Sequence, residues 1–135
     1  MARLTCRSII WLPIVIVVLL GAGSGAAQTA TQQREAAVLK ARAGNAAEAH
    51  AALRAMLAAG TDDGLVAMDL TTLLQQDGKA SEAVAVFEKA ARPDPPDYAL
   101  LAATRAYRDL RRYADAARLA RQGMQRFPKI GRAHV

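Results

Sequence analysis

The chain has 135 residues, 53% of them hydrophobic and 4% aromatic, with a formal charge of +6. That length suits one domain, and the 108 residues after position 27 suffice for a modest core, since a domain near that size buries roughly two thirds of its unfolded surface. The charge is uneven, +2 over residues 1–27, −2 over 28–96 and +6 over 97–135, which excludes a uniformly basic protein.

Residues 1–27 have the three-part layout of a secretory signal. Arg3 and Arg7 make a positive start, Ile9 to Gly23 runs without a charge, and Gly25-Ala26-Ala27 fits a small-x-small cleavage site before Gln28. A spanning helix needs about 20 apolar residues, and this run is shorter and interrupted by Pro13. Cleavage and export are the expectation, to the periplasm or beyond in a bacterium, with an uncleaved anchor as the alternative. Cys6, the single cysteine, and Trp11, the single tryptophan, would leave with the signal. One cysteine permits no intrachain disulfide.

Beyond Gln28 the sequence is rich in alanine, 28 of 108 residues, which favours helices and lets two of them approach closely. Three segments align: Gly44-Asn45-Ala46-Ala47-Glu48-Ala49, Gly78-Lys79-Ala80-Ser81-Glu82-Ala83 and Arg111-Arg112-Tyr113-Ala114-Asp115-Ala116, offset by 34 and then 33 residues. Helical stretches flank each one, and self-similarity at that period signals a repeat array. Gly44 and Gly78 can take the positive-φ turn between paired helices. Arg92-Pro93-Asp94-Pro95-Pro96 cannot be helical and reads as a linker between units. Helices are predicted near 31–43, 46–59, 64–77, 80–91, 97–110 and 113–126, in units 30–63, 64–96 and 97–128. In the third unit Leu100, Ala103, Tyr107 and Leu110 form one apolar stripe, faced by Leu119, Gly123 and Phe127.

These spacings resemble the tetratricopeptide repeat, a 34-residue helix–turn–helix unit, over residues 30–128. The resemblance implies an all-α solenoid of helical hairpins. Its small crossing residue falls on Ala49, Ala83 and Ala116, its large residue on Leu53, Phe87 and Ala120, and its closing proline on Thr61, Pro95 and Pro128. Met56, Ala120, Lys40 and Thr61 depart from the pattern, and the first unit matches least. Residues 129–135 leave the repeat where a fourth unit would begin. Ile130 to Val135 could be encoded by the start of a common sequencing adapter, so this tail reads as foreign and the natural continuation as missing.

Catalytic signals are absent. His50 reads as a surface imidazole among alanines and His134 belongs to the tail. No cluster has metal-ligand spacing, no glycine-rich phosphate loop occurs, and Asp62-Asp63 reads as a helix cap. No enzyme activity, cofactor or metal is expected, and the export signal argues against nucleic acid. The basic third unit could draw in an acidic partner or membrane headgroups, though much of it reads as helix-surface arginine with acidic neighbours, Arg105 with Asp109 and Arg111 with Asp115.

The repeat resemblance implies a concave groove lined by the first helix of each unit. The positions concerned are Thr31, Arg34, Val38 and Ala41; Leu65, Met68, Thr72 and Gln75; and Tyr98, Leu101, Arg105 and Arg108. Val38 and Thr72 stand where carboxylate-clamping co-chaperones carry asparagine, which disfavours that ligand. Tyr98 with Arg105 and Arg108 could stack on a sugar or pair with an acidic peptide.

A narrower resemblance lies in Ala41-Arg42-Ala43-Gly44-Asn45 with Glu48-Ala49, and in the stretch Ala102 to Tyr113. Both are similar to the first repeats of the poly-β-1,6-N-acetylglucosamine export porins (PgaA-like). There a signal peptide and periplasmic helical repeats precede an outer-membrane β-barrel. The resemblance implies that these residues are the periplasmic receiving end of such an exporter, docking the polymer or its deacetylase. Deacetylated polymer is cationic, so the basic third unit would prefer a protein or an acidic polymer. The alternative is a generic exported or membrane-anchored scaffold for envelope assembly.

Overall fold

The computed structural model describes residues 22–61 and 64–128. The charged start and apolar run of the expected signal, the Asp62-Asp63 cap and the tail 129–135 lie outside the described residues. The described chain is all-helical: α1 (Ala22–Arg42), α2 (Ala46–Ala58), α3 (Val66–Gln76), α4 (Ala80–Ala90), α5 (Asp97–Asp109) and α6 (Tyr113–Arg126). Bounds agree with expectation to within two residues, except that α1 starts at Ala22 rather than 31 and runs through the expected cleavage point after Ala27. No proline lies between Gly21 and Arg42 to stop it. Among the described residues no helix is long and apolar enough to cross a membrane.

Each odd-numbered helix is tied to the next by the same turn. Asn45 N–H donates to Lys40 O and Gly44 N–H to Ala41 O, and the pattern recurs at Lys79→Leu74 with Gly78→Gln75 and at Arg112→Tyr107 with Arg111→Arg108. This 6→1 and 5→2 pairing satisfies carbonyls that a helix end would leave bare, and it needs one residue in the left-handed region. Gly44 and Gly78 occupy it at φ 92° and 72°, while Arg111 takes it at 60° with a side chain attached.

The three hairpins, α1–α2, α3–α4 and α5–α6, pack side by side, α3 against α2 and α5 against both α3 and α4. Alanine lets the paired helices meet: Ala49 and Ala83 have no exposed surface and Ala116 keeps 8%. Leu53, Val66, Leu70, Leu74, Leu100 and Tyr107 fill one continuous core that crosses all three hairpins. Burying a Leu or Ile side chain contributes about 1.5–3 kcal/mol, so these residues, rather than helix propensity, hold the array together. The linker before α5 is fixed by Arg126, which donates to Pro95 O at 3.0 Å and pairs with Asp94. Arg92 joins the same linker to the start of α3, donating to Asp94 O at 3.0 Å and Gly64 O at 2.5 Å.

His50 differs from expectation. It is buried, with Nε2 3.0 Å from Asp77 Oδ2, close enough for an ion pair but without hydrogen-bond alignment. The two expected arginine pairs on α5 and α6 do not form among the described residues. Asp109 accepts instead from adjacent Arg108 at 2.9 Å, and Asp115 pairs with Arg112 at 2.8 Å and Arg118 at 3.3 Å. The left-handed turn at Arg111 withdraws that residue from the α6 face and leaves Arg112 to meet Asp115.

Candidate functional site

The first helices of the hairpins stand in a row, and one carboxylate links all three. Asp69, the sole charge between Gly64 and Gln76, sits on α3 among apolar residues and is itself buried. Its Oδ2 accepts from Arg34 Nη1 of α1 at 2.6 Å, and its Oδ1 from the Tyr98 hydroxyl of α5 at 2.8 Å. Hydrogen bonds to a charged group are stronger than neutral ones, and a buried carboxylate needs such partners. Tyr98 is thereby fixed by its tip while its residue stays 37% exposed.

Beside this link lies a cleft of about 350 Å³. It is lined by Val38, Ala41 and Arg42 of α1, by Asp69, Thr72, Leu73 and Gln76 of α3 with Asp77 just after it, and by Tyr98 of α5. Thr72 donates its hydroxyl to Met68 O at 2.9 Å, so that donor is already engaged by the backbone. The combination is an aromatic face held in place, small apolar walls, and the charged or amide groups Arg42, Gln76 and Asp77. It can grip an extended chain or a pyranose ring, whose apolar face stacks on an aromatic while planar polar groups meet its hydroxyls.

Four of the expected groove residues, Val38, Ala41, Thr72 and Tyr98, come together here. Arg34 is drawn into the ion pair with Asp69 and does not line the cleft. Met68 is buried, at 1% exposure, clustered with Ala67 and with Ala99 of α5, and does not line this cleft. It lines a second, larger cleft of about 770 Å³ on the other side of α3, with Leu57, Ala67 and Val86, where Arg54 pairs with Glu82 at 2.5 Å. Leu101, Arg105 and Arg108 are exposed on α5, on the same helical stripe as Tyr98, outside the cleft. Asp69, Gln76 and Asp77 were missed from sequence. A lone acid inside the run Val66 to Leu74 was the signal for the first.

A second polar network ties α4, α5 and α6 behind the cleft. The Tyr107 hydroxyl donates to Glu88 Oε1 at 2.9 Å, Arg112 Nη1 meets the same oxygen at 2.9 Å, and the Arg112 guanidinium lies 4.7 Å from the Tyr107 ring centre. Burial, with the Glu88 carboxylate beside it, pushes the Tyr107 phenol up to about 12. Hydrogen bonds from Arg112 and Arg118 hold Asp115 below the usual carboxylate range.

No protein-family model, curated protein or solved structure matches the chain.

Proposed function

We propose that the chain is a non-catalytic binding module of the tetratricopeptide type, exported, with the cleft between α1 and α3 receiving an extended partner. The repeated hairpin turns, the alanine crossings at Ala49 and Ala83 and the row α1–α3–α5 support the repeat assignment. The observation that carries the binding role is Tyr98, fixed by Asp69 and lining a cleft of about 350 Å³ that Arg42, Gln76 and Asp77 also line. The sequence resemblance makes the partner an exopolysaccharide of N-acetylglucosamine, the module being the periplasmic part of an outer-membrane exporter. A β-1,6-linked N-acetylglucosamine oligomer, titrated calorimetrically into the full chain, is expected to bind saturably, and Ala41→Trp to abolish the binding by filling the cleft. No saturable heat, or binding indifferent to that tryptophan, overturns the polymer as ligand.

The exposed arginines Arg105, Arg108 and Arg121 favour a second reading, an envelope scaffold that holds an acidic protein segment. Under it the oligomer does not bind, and Arg105→Glu/Arg108→Glu weakens capture of an acidic peptide.

A further inference from the structure

The larger cleft, of about 770 Å³, takes no part in the reading above and shares no lining residue with the cleft between α1 and α3. Helices α2 and α4 both pack against α3, and all three line it. Leu57 of α2, Met68 and Leu70 of α3 and Val86 of α4 supply apolar surface, with Met68 and Leu70 buried and Leu57 and Val86 half-buried. Ala85, Ala90 and Ala91 line it too and are exposed, so it opens to solvent. No aromatic residue lines it among the described residues, so it has no stacking face of the kind that Tyr98 offers a sugar. Its size lies in the range of small-molecule sites, about 300–1,000 Å³, and such sites combine apolar lining with a few fixed polar groups.

Its charges do not balance. Arg54, Lys89 and Arg92 line the cleft, and among the described residues Glu82 is the one carboxylate that does. Arg54 already takes that carboxylate, at 2.5 Å. Lys89 has no ion pair among the described residues, and Arg92 bonds there only to neutral carbonyls, Nε to Asp94 O at 3.0 Å and Nη1 to Gly64 O at 2.5 Å. Those carbonyls hold the guanidinium in place without cancelling its charge, and it keeps further N–H donors to spend. Gly64 makes the arrangement possible. It sits at φ 83°, and a Cβ built on it would run into the Arg92 guanidinium.

We propose that this cleft is a second binding site, for a single-chain anionic amphiphile: an acyl tail lies on the apolar lining and its carboxylate on Arg92 and Lys89. An unbranched tail suits walls made of Leu, Val, Ala and the adaptable Met68, which ask for apolar contact and no hydrogen bond. A carboxylate suits a guanidinium whose position is already set, because less side-chain freedom is lost when the ligand arrives. The site goes beyond the partner cleft and does not depend on it.

Calorimetric titration of dodecanoate, kept below its micellar concentration, into the full chain tests it. One saturable site is expected. Decanoate should bind roughly tenfold more weakly, because each buried methylene is worth a factor of about three to four. Dodecyltrimethylammonium, with the same tail and the opposite head, should be weaker by about tenfold or more. Lys89→Glu should weaken dodecanoate by about tenfold or more, and Ala85→Trp should abolish its binding by filling the cleft. Both residues are exposed, so each variant is expected to keep the helical circular dichroism of the wild type. The proposal is overturned by the absence of a saturable site, by indifference to tail length or head charge, or by dodecanoate binding that Lys89→Glu leaves unchanged. Adsorption on the apolar run Ile9 to Gly23 gives that last result. Neither variant alters the cleft between α1 and α3, so oligosaccharide binding is read separately and the two readings fail independently.

Discussion

Arg34 Nη1 stands 2.6 Å from Asp69 Oδ2, with side-chain exposures of 15% and 11%, so an ion pair at the edge of the core joins the first hairpin to the second. Breaking a buried pair by removing one partner costs about 3–5 kcal/mol, and partial exposure on both sides lowers that here. Asp69→Ala is therefore expected to cost about 2–3 kcal/mol, since it also takes the acceptor from Tyr98. At about 4–8 °C per kcal/mol for a domain this size, the melting temperature falls by more than about 8 °C. Replacing both members by apolar residues, Arg34→Met/Asp69→Leu, recovers most of the loss. Thermal melts by far-UV circular dichroism check both, and equal losses for the single and double variants refute the pairing.

Tyr107 gives the protein an alkaline limit. The phenol is raised from its ordinary value of 10.0 to about 12 by burial and by Glu88. The folded chain thus holds this proton through a range in which the unfolded chain has released it. The stabilisation is complete below pH about 10 and drains away as pH climbs toward 12, by up to about 1.4 kcal/mol per pH unit. Tyr107→Phe carries no such proton, so its stability relative to wild type should rise across that window. Phenolate absorbance supplies the direct reading: the Tyr107 phenol is expected to titrate late in the folded chain and to return toward its ordinary value of 10.0 on unfolding.

The fold was legible because its determinants are local. Gly44, Gly78 and the prolines from Pro93 to Pro96 mark turns and linkers by backbone chemistry alone, and alanine spacing marks the helix crossings. The candidate site was half legible. Val38, Ala41, Thr72 and Tyr98 are positions that the repeat resemblance implies, and helical register fixes the stripe to which each belongs. Register does not say how far the next hairpin covers that stripe, which is why Met68 is buried and Arg34 engaged. Asp69 and the buried His50–Asp77 contact depend on partners 27 to 35 residues away, brought close only by stacking.

Arg111 is the third hairpin's counterpart of Gly44 and Gly78, and it holds φ 60° without their freedom. A side chain in the left-handed region costs about 1–2 kcal/mol, while glycine costs about 0.5–1 kcal/mol in unfolded-state entropy. Arg111→Gly should therefore stabilise by up to about 1 kcal/mol, and Gly78→Ala should destabilise by about 1 kcal/mol. The second is a clean test of backbone strain, because a Cβ built on Gly78 meets nothing within 4 Å. Arg111→Ala separates conformation from charge and should leave stability nearly unchanged. Denaturant midpoints at constant slope report all three, and a destabilised Arg111→Gly contradicts the account.

Ala83 on α4 has no exposed surface, whereas Ala117 on α6 is exposed. A leucine at Ala83 has no void to enter, so the hairpin must spread or the new side chain must leave its rotamer, at about 1–3 kcal/mol. Ala116→Leu should behave similarly but more mildly, because that alanine keeps 8% exposure and α6 carries no following hairpin among the described residues. Ala117→Leu should stay within about 0.5 kcal/mol of the parent. The predicted order of melting temperatures is Ala83→Leu lowest, then Ala116→Leu, then Ala117→Leu with the parent. An exposed site as sensitive as Ala83 would mean that helix propensity, not interhelical distance, sets the alanine pattern.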